Sequence, residues 1–306
     1  MAASLGAGLT LPAHAAERTL RIGYQKFNTL NILKGAGHLE EALKPLGWSV
    51  QWYEFATGPV LLEALNAGSI DFGHAADTPS VFAQAAGVKA VYLAAEQPYP
   101  KGIAILVAAD SPIRRVADLK GKRVAVGRGW NVQYLLARAL EEAGLDFDDI
   151  QPAWVNNAAD ARSAFQSGRV DAVGLWDPFL AGEQTASNPR VLRSGEGLSN
   201  NRTFYLAAPD FAAANGKVLR TVFAELKKTN DWANRNPQAL AEQLAPQLGV
   251  PTAVLKLATE RRRYTAVPLD AAIVAEQQRI ADTFFRLKLI PRSPRVADAV
   301  FPETLL

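Results

Sequence analysis

The sequence of 306 residues contains no cysteine, and its one methionine is Met1. Without cysteine the chain cannot form disulfides, thiolate nucleophiles, or zinc and iron–sulfur centres with Cys ligands. Its three histidines, His14, His38 and His74, supply little for metal or triad chemistry based on imidazole. The sequence also lacks a Gly-x-Ser-x-Gly segment and any metal-ligand spacing. We therefore expect the protein to be no enzyme and to carry no cofactor and no metal ion.

A strong charge of either sign is absent as well. The 33 Lys and Arg residues are interleaved with 30 Asp and Glu residues, which leaves a formal net charge of +3. Nucleic-acid-binding domains instead concentrate basic residues in one patch or run. We therefore expect no nucleic-acid partner. The hydrophobic share of 49% is typical of a globular protein, and the length indicates one large α/β unit or two lobes.

The first sixteen residues contain no Lys, Arg, Asp or Glu and end in Ala13-His14-Ala15. An apolar stretch followed by Ala-x-Ala is typical of a secretory signal peptide, but the basic residues that usually precede the stretch are missing. We expect residues 1–16 to be a cleaved leader whose start is truncated, and the mature protein to be periplasmic. A buried N-terminal strand is the alternative. No other stretch has about 18 uninterrupted apolar residues, so no membrane span is predicted.

Downstream of the leader, strand-like and helix-like segments alternate. Gly58-Pro59 starts one of the helices, because proline suits a first helical turn. The same order restarts after Asp110, and from Asp210 to Leu289 the apolar residues recur with a helical period. Strands are predicted at residues 19–25, 48–55, 70–75, 88–94, 103–108, 123–126, 150–155, 170–175, 191–193 and 203–207.

This order predicts an α/β fold with two lobes and a hinge of two crossings. The second lobe, residues 108–207, is inserted into the first, residues 17–107 plus 208–306, and the chain crosses near 107–111 and 202–208. Ligands in open α/β sheets bind outside the carboxyl ends of the strands. We therefore expect a ligand in a cleft shared by the two lobes, and we expect the chain to act as a monomer.

Two turns at predicted strand ends, residues 57–59 and 127–131, contain glycine and run into helix N-termini. Free backbone N–H groups and the positive end of the helix dipole make such turns anion sites without any ionisable side chain. The candidate ligand-binding residues are Gln25 at a strand end, the neutral donors Asn28, Thr57, Thr78 and Asn131, the charged donor Arg128, the apolar walls Phe27, Trp130 and Trp176, the turn residues Gly58, Pro59 and Gly129, and the carboxylates Asp77 and Asp177.

Structural explanations of several residues remain open. Asp77 has an alternative interpretation as the N-cap of its helix. For Asp177 a structural cap is favoured over a ligand-facing carboxylate, which would repel an anion. The run Arg261-Arg262-Arg263 is most simply a solvated helix end, with a docking patch as the alternative. We interpret His38 and His74 as structural residues.

Several segments together resemble one known family, the aliphatic sulfonate-binding proteins, which are the periplasmic solute receptors of sulfonate ABC importers. The resemblance covers the chain from about residue 19 to past residue 280. The segments are Arg21-Ile22-Gly23-Tyr24-Gln25, Gly58-Pro59, Ala64-Leu65-Asn66-Ala67-Gly68-Ser69-Ile70-Asp71, Ala83-Gln84-Ala85-Ala86-Gly87, Ala117-Asp118-Leu119-Lys120-Gly121-Lys122, Val170-Asp171-Ala172 and Trp176-Asp177-Pro178.

The resemblance implies a fold like that of periplasmic binding proteins, with the sulfonate on helix N-termini in the cleft and delivery to an ABC permease for sulfur acquisition. Carried over by position, it favours Gln25, Gly58, Pro59, Asp77, Thr78, Trp176 and Asp177. Where some relatives have a serine-rich turn, this chain has Gly129-Trp130-Asn131-Val132-Gln133.

Two alternatives share the implied fold. One is a receptor for taurine, nitrate or another small anion, and a carboxylate that reaches the cleft would favour taurine because of its ammonium group. The other is an enzyme such as the pyrimidine-synthase relatives, which need a site with cysteine and histidine. The missing cysteine disfavours the enzyme.

Overall fold

The computed structural model describes residues 18–306, and the predicted leader, residues 1–16, lies outside the described residues. The strands are β1 Arg18–Tyr24, β2 Trp48–Glu54, β3 Phe72–Ala76, β4 Val91–Glu96, β5 Ile103–Val107, β6 Arg123–Val126, β7 Gln151–Trp154, β8 Ala172–Trp176, β9 Arg190–Ser194, β10 Thr203–Ala207 and β11 Ala266–Val267. The α-helices are α1 Thr29–Ala36, α2 His38–Leu43, α3 Gly58–Asn66, α4 Asp77–Ala85, α5 Asn131–Glu142, α6 Ala158–Gln166, α7 Phe179–Ser187, α8 Pro209–Ala214, α9 Gly216–Arg235, α10 Pro237–Leu248, α11 Thr252–Glu260 and α12 Ala271–Arg286.

The strands form two sheets, which confirms the predicted two-lobed α/β fold. The first sheet has six strands in the order β11-β4-β10-β3-β1-β2, and the second has five in the order β7-β6-β8-β5-β9. We call the elements around the first sheet the first lobe and those around the second sheet the second lobe. All ten predicted strands are present, and within residues 18–306 only the two-residue strand β11 was not predicted from the sequence.

The predicted lobe boundaries are wrong by one strand at each crossing. Residues 103–107 were expected in the first lobe, but β5 pairs antiparallel with β8 and β9 of the second sheet. Residues 203–207 were expected in the second lobe, but β10 pairs antiparallel with β3 and β4 of the first. The reason is that the chain changes lobe before each of these strands, within residues 97–102 and 195–202. The second sheet is therefore built from one continuous segment, β5 to β9, and the first sheet from β1 to β4 with β10 and β11.

The two sheets repeat one arrangement of strands and ion pairs. β1 pairs with β3 at Ile22 and Phe72, and β6 pairs with β8 at Val124 and Ala172. Each central strand also carries an arginine that binds an aspartate through two guanidinium nitrogens: Arg21 to Asp71, at 3.0 and 2.5 Å, and Arg123 to Asp171, at 3.2 and 3.0 Å. The offset is 102 residues between β1 and β6 and 100 residues between β3 and β8, and α3 and α6 also differ by 100. Residues 57–77 of the first lobe therefore correspond to residues 157–177 of the second.

Contacts between the lobes are made on two flanks. On one flank Tyr134 of α5 joins a buried cluster of the first lobe with α4 and α12, and its ring centroid lies 6.0 Å from that of Phe284. Arg286 of α12 is 2.8 Å from Glu141 of α5 on the same flank. On the other flank Ala181 of α7 is buried among residues of α10 and α11. The first lobe and its C-terminal helices thus hold the second lobe from both sides.

Within residues 18–306, none of the helices combines the length and apolar character that a bilayer crossing requires. The long helices are instead amphipathic, as their periodicity predicts. In α9, for example, Val218, Leu219, Val222, Phe223 and Leu226 are buried in the core of the first lobe. The predicted helical region from residue 210 to 289 is confirmed.

The repeated ion pairs lead to a paired prediction on stability. The Asp71 side chain is 11% exposed and that of Asp171 is 31% exposed, so water screens the second pair more strongly. We expect Asp71→Ala to lower the free energy of unfolding by about 1.5–3 kcal/mol, the range for a lost hydrogen bond to a charged group. Asp171→Ala should have a clearly smaller effect, measured by urea denaturation. Equal losses would contradict this account.

Candidate functional site

A cavity of about 80 Å³ lies between the two lobes, at the carboxyl ends of strands from both sheets. Residues of the linking segments, Tyr99, Gly102 and Asn201, complete its wall. Ten of the fourteen predicted site residues line this cleft: Gln25, Phe27, Asn28, Thr57, Gly58, Pro59, Trp130, Asn131, Trp176 and Asp177.

Asp77 and Thr78 were predicted as ligand-binding residues and do not line the cleft. Both are fully buried at the start of α4, where Asp77 Oδ1 accepts hydrogen bonds from the Thr78 backbone N–H, at 2.6 Å, and from the Thr78 hydroxyl, at 3.2 Å. Ala76 is the N-cap of α4 and Asp77 its first helical residue, so the alternative interpretation of Asp77 as an N-cap is wrong by one position. The two bonds from Thr78 occupy the donors that this residue would offer a ligand.

Arg128 and Gly129 also lie away from the cleft. The Arg128 side chain points to the surface, where its guanidinium carbon lies 4.1 Å from the centroid of the Trp154 ring. The Gly129 N–H donates to Gln133 Oε1 at 2.7 Å. The cation–π contact with Trp154 holds the charged Arg128 side chain outside the cavity. The bond to Gln133 occupies the Gly129 N–H.

The N-termini of α1, α3, α4 and α5 differ in the side chains around their first N–H groups. At α1 the Asn28 side chain accepts from the N–H groups of Leu30 and Asn31. The residues before α3, α4 and α5 provide no side-chain cap, although Asp77 of α4 and Asn131 of α5 each accept from the next backbone N–H. Residues of the uncapped α3 and α5 turns line the cavity, and these two helices, unlike α4, have no acidic residue in the first turn. One uncapped helix N-terminus from each lobe therefore faces the cleft, and such termini bind anions.

The corresponding helix of the second lobe shows that the fold does not require the N-terminus of α3 to lack a cap. α6 of the second lobe corresponds to α3, and it begins after Asn157, whose side chain accepts from the Asp160 N–H at 2.8 Å. The corresponding Thr57 makes no such bond. The α3 terminus therefore lacks a cap at a position where the same architecture accommodates one.

Gly58 is required by close packing at the α3 terminus. A Cβ atom at Gly58 would lie 2.9 Å from Pro79 Cγ of α4, which is too close for a real contact. The missing side chain lets the two helices touch and leaves the first backbone N–H of α3 open to the cavity.

Two tryptophans form the aromatic wall of the second lobe. The ring centroids of Trp130 and Trp176 are 4.8 Å apart in an edge-to-face arrangement. Trp130 lies flat on Gly127, where any Cβ atom would overlap the indole ring. Across the cleft, Phe27 is buried and has a φ of 59°, a left-handed conformation that is rare for a bulky residue and is associated with functional sites.

Arg262 lines the cleft and was missed by sequence reasoning, which predicted a solvated helix end at this position. Its side chain is instead 6% exposed, forms an ion pair with Glu96, and donates to the Phe27 carbonyl at 3.3 Å. The neighbouring Arg261 is 3.5 Å from Asp177 of the second lobe. The signal for Arg262 was Glu96, a carboxylate in an otherwise apolar strand, because a buried charge requires a partner.

His74 was interpreted as structural, and the structure places it in the wall of the cleft. Burial lowers its pKa to about 3, so the imidazole is neutral at physiological pH. The cavity lining also includes Lys26, Ala76, Pro79 and Thr203, which were not predicted.

Two carboxylates near the cleft have opposite pKa shifts. Burial raises the pKa of Asp177 to about 6, although Arg261 and the Tyr99 hydroxyl oppose the shift. Burial would also raise the pKa of Glu96, but Arg262 and its hydrogen-bond donors outweigh burial and hold the pKa below its ordinary value. Glu96 is therefore ionised at physiological pH, and Arg262 is its counter-ion. Within residues 18–306, no group of His, Asp and Glu side chains is arranged to hold a metal ion.

Comparisons with known proteins agree on one class of protein. Residues 36–246 match the model of a family described as the phosphonate periplasmic substrate-binding protein of ABC transporters. A relative from Escherichia coli K12, named as an aliphatic sulfonates-binding protein, is 40% identical over 96% of this chain and 92% of its own length.

A solved structure and a more distant relative complete the comparison. The alkanesulfonate-binding protein SsuA from Xanthomonas axonopodis pv. citri, bound to MOPS, superposes with a TM-score of 0.87 at 38% identity, over 94% of this chain and 99% of its own. The taurine-binding periplasmic protein of Escherichia coli K12 is 27% identical over 58% of this chain and 55% of its own length.

The contacts of Asp77 lead to a prediction on pH. Burial raises its pKa to about 7, against the hydrogen bonds from Thr78, and its Oδ2 has no partner. A raised pKa means that the folded state binds a proton more tightly than the unfolded state, so this group's contribution to stability is lost as pH rises from about 4 to about 7. Asp77→Asn is neutral throughout and keeps the oxygen that accepts from Thr78. We expect its stability relative to the unsubstituted protein to increase by roughly 1 kcal/mol or more over that interval.

Thermal or urea unfolding at several pH values measures this difference. Asp177 is present in both proteins, so its own titration cancels. If the stability difference between the two proteins stayed constant from pH 4 to pH 7, the raised pKa of Asp77 would be contradicted.

Proposed function

Because this chain belongs to the aliphatic sulfonate-binding proteins, periplasmic substrate-binding components of ABC transporters, we propose that it captures small organic sulfonates between its lobes and presents them to a membrane permease. The observation that carries the proposal is the pair of uncapped helix N-termini, one from each lobe, at the cavity. A ligand bound to both would hold the lobes together, and a permease would then recognise the closed form.

A sulfonate has the chemistry that these termini require. It is an anion at any physiological pH, and its three oxygens accept hydrogen bonds and donate none. Burying such a charge is tolerable only where donors surround it. Gly58 and Asn131 begin the uncapped helices and carry backbone N–H groups, while Thr57 adds a hydroxyl group that makes no cap bond. We propose that these groups bind the sulfonate oxygens.

The organic part of the ligand is proposed to rest on the aromatic walls. Phe27 of the first lobe and Trp130 and Trp176 of the second line the cavity. Arg262 holds the Phe27 carbonyl and so supports the unusual backbone conformation that directs this ring. Because Glu96 neutralises Arg262, the cleft has no excess positive charge there, and discrimination among anions falls to the helix termini and the shape of the walls.

Taurine is a second candidate ligand, and one observation favours it. Asp177 is the acidic side chain among the cavity-lining residues within 18–306, and an ammonium group would pair with it. The Tyr99 hydroxyl, the Ala181 N–H and Arg261 already engage this carboxylate. We therefore rank sulfonates without an amino group first.

We further propose that the protein has no catalytic activity, acts as a monomer, and is exported to the periplasm by a cleaved leader. Membership of a family of binding components supports the first of these, and the cavity lining contains neither serine nor cysteine within the described part of the chain. The leader remains a prediction from sequence, because residues 1–16 lie outside the described residues.

A thermal-shift panel tests the proposed function directly. We expect short alkanesulfonates to raise the melting temperature and nitrate to leave it unchanged, since nitrate lacks an organic part for the aromatic walls. A ligand at 100 times its dissociation constant adds about 2.7 kcal/mol to the stability of the folded state. A panel in which nitrate or a simple amine raises the melting temperature, and sulfonates do not, would reject the proposal.

Trp130 provides a test of how the ligand's organic part is bound. We expect Trp130→Ala to weaken binding of an arylsulfonate by about tenfold or more, because an apolar contact is lost, and to weaken methanesulfonate much less. Trp154→Ala is the matched control, since Trp154 is 37% exposed outside the cavity. Calorimetric titration gives both affinities. Equal losses for the two ligands would mean that Trp130 only packs the second lobe.

A further inference from the structure

The imidazole of His74 is surrounded by hydrogen-bond donors. The Asn28 Nδ2 atom lies 3.2 Å from His74 Nδ1, and the backbone N of Gln25 lies 3.3 Å from His74 Nε2. A neutral imidazole has one accepting nitrogen and one N–H, so it can accept only one of these two hydrogen bonds. One ring nitrogen therefore carries a proton that faces another donor.

The orientation of the Asn28 amide is determined by its helix. Its Oδ1 accepts from the N–H groups of Leu30, at 3.1 Å, and Asn31, at 3.4 Å, so its NH₂ group must face His74. The contact between Asn28 and Nδ1 is fully buried, whereas that between Gln25 and Nε2 is only partly buried. Two donors facing each other are tolerable only where an acceptor from outside can enter, which is at Nε2. We therefore assign the proton to Nε2 and the accepting role to Nδ1.

The repeat shows that the scaffold does not need this histidine. His74 lies opposite Tyr205 in β10, and the corresponding Gly174 lies opposite Ile105 in β5. At Gly174 a Cβ atom would lie 3.2 Å from Val132, so the helix of the second lobe packs directly on the strand. The same architecture thus forms without a side chain at this position.

We propose that His74 Nε2–H and the Gln25 backbone N–H bind the same oxygen of the ligand. The two nitrogens are 3.3 Å apart, and both residues line the cavity. A sulfonate oxygen has the lone pairs to accept from both, and it would replace a contact between two donors by two charge-assisted hydrogen bonds. This inference rests on the proposed function, because it names a further part of the same site.

Nuclear magnetic resonance of the imidazole nitrogens tests the inference in the unsubstituted protein. The chain contains three histidines, and the His74→Gln variant identifies the signal that belongs to position 74. We expect the Nε2–H tautomer without ligand, and a shift of that nitrogen and its proton when methanesulfonate saturates the protein. An Nδ1–H tautomer would overturn the proposal, and so would an unchanged signal when the thermal shift shows that methanesulfonate is bound.

Affinity measurements on variants supply a second readout. His74→Met keeps the volume and removes the donor, and we expect it to weaken methanesulfonate about 10- to 100-fold, as for the loss of a hydrogen bond to a charged group. His74→Gln keeps an N–H near the position of Nε2, and we expect most of the affinity to return. Unchanged affinity in His74→Met would overturn the proposal.

His38→Met is the matched control for these variants. His38 lies on the outer side of the first lobe, where its Nδ1 is 2.8 Å from Glu225, and it does not line the cavity. We expect its affinity for methanesulfonate to be unchanged. If methanesulfonate and other sulfonates fail to stabilise the unsubstituted protein, the proposed function fails, whereas binding that leaves His74 unaffected overturns only this inference.

Discussion

The buried ion pair between Glu96 and Arg262 is the interaction on which the cleft depends. Glu96 also accepts from the hydroxyl groups of Thr29 and Tyr205, so α1, β4 and β10 meet at one carboxylate. Arg262 extends this network to the segment after α11 and to the carbonyl of Phe27. Removal of one partner from a buried pair leaves an uncompensated charge and costs several kcal/mol. The C-terminal helices are therefore tied to the strand ends that form the ligand site.

The two lobes divide the work of binding unequally, although their scaffolds are alike. The first lobe leaves α3 uncapped where the second caps the corresponding α6, and it places His74 where the second has Gly174. The second lobe contributes the uncapped α5 and the aromatic wall. Comparison of equivalent positions thus separates residues that build the architecture, such as the repeated Arg–Asp pairs, from residues that the architecture can omit.

Local patterns in the sequence predict much of this structure. Apolar alternation and glycine turns identify ten strands and ten of the residues that line the cleft, because those features depend on neighbours along the chain. Arg262 is missed because its partner Glu96 lies 166 residues away. His74 is missed because its neighbouring donors, Gln25 and Asn28, follow another strand, β1. The lobe boundaries are wrong because the sheet to which a strand belongs depends on pairing with strands that are distant in the sequence. Asp77 lies one residue after the N-cap of α4, and its carboxylate accepts hydrogen bonds within the first turn of that helix.

The position of β10 in the first sheet has a consequence for the order in which the chain can fold. β10 lies between β3 and β4, so the first sheet remains divided until residues 203–207 have been synthesised. By then every strand of the second sheet is already available. The second lobe is therefore the one that can complete its sheet first, and the N-terminal strands must wait for it with unpaired edges. Such long-range pairing slows folding and exposes strand edges to other chains.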